Sequence, residues 1–158
     1  MRVLTTCLLT AVLLTGCSAE FWDLDPETQI ALPPGQATGL RIDRIEVRSS
    51  FYDPPDAFSE AFLPAFRSQT DACARGPDAV RAVVFIHALD RGGTLLDAQG
   101  QARLSGSVDL VDSRERVLGR YPLSVTLPGP AGDLGDRRTV LAEALGAQLC
   151  REAFPAGG

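Results

Sequence analysis

The chain has 158 residues, 15 basic and 20 acidic, for a formal net charge of −5 at pH 7. That length supports one domain with a real core and no need of a metal to fold. The acidic balance argues against nucleic acid or an anionic lipid surface as partner, because both attract basic patches. Every basic residue is arginine, which reads as the codon bias of a GC-rich genome and not as phosphate recognition.

The N-terminus reads MRVLTTCLLTAVLLTGCSAE. Arg2 precedes an apolar run over 3–14, then come the small residues Thr15 and Gly16 and then Cys17. A charged start, a short apolar stretch and small residues at a cleavage site are the layout of a secretory signal. The run is shorter than the roughly 20 apolar residues a bilayer-spanning helix needs. The tetrad Leu14-Thr15-Gly16-Cys17 resembles the lipobox of bacterial prolipoproteins. The resemblance implies a diacylglyceryl group on the Cys17 thiol, removal of residues 1–16 as signal peptide, and an acylated new amine. The acyl chains on Cys17 then hold the protein to a membrane and the domain faces the periplasm. Ser18, where an aspartate would favour inner-membrane retention, points to the outer membrane over the inner. Loss of Arg2, the one charged residue of 1–16, takes the mature chain to −6.

Residues 17–39, with Pro26, Pro33, Pro34, Gly35 and Gly39 and no sustained period, read as a lipidated flexible tether. Within it, Phe21 and Trp22 suit either the headgroup zone or a dock on the domain. The domain proper is read as 40–158. A first strand is predicted over 40–47, with a bulge at Asp43-Arg44. The prolines and aspartates at 53–56 break the chain and can cap a helix. Phe58, Phe62, Phe66, Gln69 and Cys73 share one helical stripe, and Pro64 should kink or restart that helix. The continuous apolar run 82–89 predicts a central strand covered on both faces. Over 101–112 the chain alternates: Ala102, Leu104, Gly106, Val108 and Leu110 point one way, Arg103, Ser105, Ser107 and Asp109 the other. A polar turn at 112–116 leads to a strand over 117–127, which Pro122 assigns to an edge or a bulge. After a Gly/Pro loop at 128–135, Asp136 is expected to cap a last helix with Leu141, Leu145 and Leu149 as its ridge.

The order β-α-β-β-β-α predicts a single α+β domain with a mostly antiparallel sheet and two helices on one face. The other face, carrying Arg103, Ser105, Ser107 and Asp109, should be wet or used for contact. Cys73 and Cys150 remain beside the anchor, and an even pair in an exported protein suggests a bridge. Two buried free thiols are the alternative.

The search for chemistry finds no constellation. The one histidine, His87, lies in a predicted strand, and there is no CxxC, HExxH, EF-hand loop or GxSxG elbow. The glycines at 129–135 lack the GK[ST] ending of a phosphate loop, and Asp133 and Asp136 would repel phosphate. Asp23/Asp25 and Asp53/Asp56 sit beside prolines in tether and cap positions. No catalytic residue, metal ligand or cofactor is therefore assigned.

The plan of tether and β-α-β-β-β-α domain is similar to small envelope lipoproteins, among them auxiliary lipoproteins of ABC-type lipid transporters, lipopolysaccharide-assembly lipoproteins and an uncharacterised alphaproteobacterial family. The stretches 102–112 and 117–121 resemble paired strands in such proteins. The expected role is a non-catalytic binding or assembly module for an envelope transport or assembly complex. The alternative is a carrier or sensor of a small apolar ligand between helices and sheet.

Overall fold

The computed structural model describes residues 28–33, 35–49, 57–88, 102–127 and 134–155. The signal 1–16, Cys17, Phe21, Trp22, the cap at 53–56 and the loop at 128–133 lie outside the described residues. After a 3-10 turn (Ala37–Gly39) come β1 (Leu40–Ser49), α1 (Ala57–Cys73), β2 (Asp78–Ala88), β3 (Ala102–Val111), β4 (Val117–Leu127) and α2 (Leu134–Ala153). The four strands form one sheet in the order β1-β2-β3-β4. β1 and β2 are parallel, with α1 as the crossover, and β2-β3-β4 form an antiparallel meander. The expected α+β domain is the one observed.

One face of the sheet and both helices enclose the core. Ile42 from β1, Val84 and Ile86 from β2, Leu104, Val108 and Leu110 from β3, and Tyr121 and Leu123 from β4 meet the helices there. From α1 come Phe58, Phe62 and Phe66, stacked one turn apart with ring centroids 5.5 and 5.2 Å apart. Burying a phenylalanine side chain is worth roughly 1.5–3 kcal/mol, so this stripe is a principal fastening of α1. Leu141, Leu145 and Leu149 bring the matching ridge from α2.

Several expectations meet their physical reasons here. The register of β1 slips between Ile42 and Arg44, as the pattern required, so Ile45 and Val47 return to the core side. α1 runs unbroken through Pro64, contrary to the expected restart. Pro64 is exposed and lies roughly 200° around the helix from Phe62 and Phe66, so its missing N–H falls on the wet side. α2 begins at Leu134, so Asp136 lies within the first turn and not at the expected position ahead of the helix. Gly146 permits the close crossing of the helices, because a Cβ there would stand 2.9 Å from Gln69 Cβ and 3.1 Å from the Phe66 carbonyl oxygen.

Cys73 and Cys150 are bridged, with Cα atoms 5.7 Å apart. The bond joins the last residue of α1 to the C-terminal part of α2. The segment read as a tether up to Gly39 closes onto the domain well before that point. Ile30 exchanges both backbone hydrogen bonds with Arg120 on β4, at 2.9 and 2.8 Å. The Leu32 N–H donates to the Tyr121 hydroxyl at 2.9 Å, and Leu32 and Ala37 pack against the core.

Candidate binding face

The face of the sheet turned away from the helices is built from the other half of each alternation. The register sets its side chains in cross-strand rows. One row is Glu46, Val83, Asp109, Arg120, and the next is Arg48, Phe85, Ser107, Pro122. Ser105 faces Ser124 and Arg103 faces Thr126 beyond them. Between the rows, β2 slips its register from Ile86 to Ala88, which leaves His87 as the extra residue of a bulge. Gly106 sits opposite, where a Cβ would stand 2.3 Å from the Phe85 carbonyl oxygen. His87 Nε2 lies 3.2 Å from Ser107 Oγ.

The half of this face nearer the β3–β4 turn is charge-paired. Asp109 takes Arg120 in a two-pronged contact, Nε to Oδ1 at 2.6 Å and Nη2 to Oδ2 at 2.5 Å. The two side chains are only 6% and 10% exposed, so the pair is dry. The hydrogen bond to Asp109 raises the Arg120 pKa above the ordinary guanidinium value, against the opposing effect of burial. Glu46 gathers Arg44, Arg48 and Arg81 at 3.3, 3.2 and 3.2 Å. Arg81 also reaches Glu115, and that hydrogen bond first of all raises its pKa. An open cleft of about 190 Å³ beside Arg44, Arg81, Asp112 and Glu115 is therefore lined by cations that already hold carboxylates. Asp112 closes the turn by accepting from the Arg114 and Arg116 N–H groups at 2.8 and 3.0 Å. These bonds, that of Arg116 first, hold its carboxyl below the ordinary range.

The other half carries hydroxyls and an arginine. Arg103 is exposed, and its Nε lies 3.4 Å from Ser124 Oγ. It makes no ion pair among the described residues.

Of the four side chains expected on a wet or contact face, Arg103 is exposed and Ser105 half-buried, but Ser107 and Asp109 are buried at 2% and 4% and so are not wet. Burial of Asp109 is tolerable because Arg120 supplies both donors. Glu46, Arg81 and Arg120 belong to this face and escape a strand-by-strand reading. Opposite charges on the outward alternation of 101–112 and 117–127 were the available signal, since a hairpin through 112–116 sets them nearly opposite. Cys17 lies outside the described residues. The interlayer where an apolar ligand would sit holds Phe62, Phe66, Val84, Val108, Leu141 and Leu145, all fully buried. Among the described residues, no three His, Cys, Asp or Glu side chains stand together as a metal site, and no helix is long and apolar enough to cross a membrane.

No family model matches the chain, and no curated protein matches it. Solved structures match at low identity. A PelC dodecamer from Paraburkholderia phytofirmans is similar at 14% identity and a TM-score of 0.47, covering 80% of this chain and 96% of that one. Protein XCC0632 from Xanthomonas campestris, of the family model DUF330, is similar at 12% identity and a TM-score of 0.42, covering 79% and 88%.

Proposed function

We propose that this chain is an exported lipoprotein, anchored through acyl chains on Cys17, whose domain is a non-catalytic binding or assembly module for an envelope complex. The observation that carries the binding reading is the asymmetry of the sheet. One face is closed by two helices, while the other bears cross-strand rows of arginine, carboxylate and hydroxyl groups on a rigid scaffold. Around the dry Asp109–Arg120 pair the register sets exposed polar groups, Arg44, Arg48, Arg103, Ser124 and Thr126, at constant spacing, which suits recognition of a protein surface. The Cys73–Cys150 bridge supports export, because disulfides persist in oxidising compartments. The lipobox at Leu14-Thr15-Gly16-Cys17 supports the anchor, with the outer membrane as its expected site.

The test is a pull-down of the acylated protein from its own membranes beside a Cys17→Ala form. An envelope complex should accompany the wild type and be depleted with the variant. A wild type that stays in the aqueous phase on detergent partition removes the anchor. A membrane-bound wild type that brings down no partner removes the assembly role.

A further inference from the structure

We infer that the C-terminal half of β4 is an open sheet edge that takes an extended, acidic strand from a partner. The inference rests on the binding reading above and names where and how the partner docks. Arg120 turns its N–H and C=O away from β3, toward Ile30. The β3–β4 register is regular from Gly119 to Leu127, so every second residue after Arg120 turns its backbone groups outward as well. Those residues are Pro122, Ser124 and Thr126. The Pro122 N–H is missing on the side where the β3–β4 ladder does not need it. Pro122 thus ends the stretch that Ile30 caps and leaves Ser124 and Thr126 with outward donors and acceptors. Neither has a backbone partner on that side among the described residues.

The side chains around this edge state what an incoming strand should carry. Partner residues opposite Ser124 and Thr126 lie on the helix-free side, where the exposed Arg103 guanidinium already reaches Ser124 Oγ. The partner residue between them lies on the helix side, beside Val125 and Leu127, which are half-buried at the margin of the core. The complementary strand alternates carboxylate and aliphatic side chains. The chain's own preceding residues fit this edge badly. Continuing the Ile30–Arg120 register would set Pro26 opposite Ser124, where its missing N–H forfeits one of the two bonds.

The experiment uses the acylated full chain in detergent and two capped hexapeptides, one alternating Val and Glu, the other Val and Lys. The mature chain's net charge of −6, the −5 of the whole chain less Arg2, favours the Lys peptide in bulk, so preference for the Glu peptide reports the local site. The Glu peptide should bind about tenfold more tightly, the worth of one charge-assisted hydrogen bond, and slow amide exchange at Ser124 and Thr126. Ser124→Pro repeats on the same side of the strand what Pro122 already does, so it should melt like wild type and lose the peptide. Arg103→Glu should reverse the preference. Equal binding of the two peptides, unchanged binding by Ser124→Pro, or amides already protected without peptide would overturn the assignment. If the edge fails while a partner still accompanies the acylated protein, the binding reading stands and only the docking place falls. If no partner accompanies it, the binding reading falls whatever the peptides do.

Discussion

Opening the Cys73–Cys150 bridge should lower stability by an amount that the loop length sets. The bridged residues are 77 apart in sequence. Closing a loop of that size removes about 15 cal/mol/K from the unfolded chain, or about 4.5 kcal/mol at 25 °C. The folded state should hardly notice the loss, because Phe62, Phe66, Leu145 and Leu149 are fully buried and keep the two helices together. The whole effect therefore falls on the unfolded ensemble, and the reduced protein should keep its native circular dichroism while melting about 15 °C lower. The double variant Cys73→Ser/Cys150→Ser is the cleaner form of the test, since it leaves no thiol to mispair. Urea titration should show a lower midpoint and a larger slope, because the unlinked chain exposes more surface on unfolding. A variant melting within about 3 °C of the bridged protein would refute the reasoning, for then the bridge constrains nothing the unfolded chain would otherwise explore.

The dry ion pair gives a second test. Asp109→Leu leaves Arg120 buried without its carboxylate and should cost about 3–5 kcal/mol, while adding Arg120→Met should recover most of that loss in denaturant titrations; a single variant as stable as wild type would contradict the burial. Burial raises the Tyr121 pKa first, and Leu32 N–H donates to its oxygen. Its contribution is therefore complete below the ordinary phenol value of about 10 and lost as pH rises through the higher folded value. Tyr121→Phe should cost about 1 kcal/mol at neutral pH and flatten the alkaline limb of a stability–pH curve. Asp112 has the opposite sign: its lowered pKa gives stability above about pH 4 that is lost as pH falls through the folded value. Asp112→Asn should flatten the acid limb, and an unchanged limb would remove the turn's carboxylate from the account. Gly106→Ala must push a Cβ against the Phe85 backbone, at a cost of about 1–3 kcal/mol measurable by thermal melting.

What the sequence settled by itself is whatever depends on neighbours along the chain. The alternation at 101–112 fixed which side chains of β3 face the helices, and the phenylalanine stripe fixed the buried side of α1. The slip at Asp43-Arg44 was also legible, and Pro122 narrowed its strand to an edge or a bulge, of which the sheet order shows the edge, because a broken period and a missing N–H are local facts. Alternation sends Ser107 and Asp109 outward but does not reveal that they are buried there, since it tells direction and not cover. Burial of Asp109 became tolerable only when the hairpin register set Arg120 beside it. Likewise Leu32 looked like tether until Tyr121, 89 residues on, offered its hydroxyl. Two cysteines suggested a bridge, but only the crossing of α1 and α2 brought their Cα atoms to 5.7 Å. Period and turn chemistry are written residue by residue, whereas pairing across strands and helices exists only once the chain has folded back on itself.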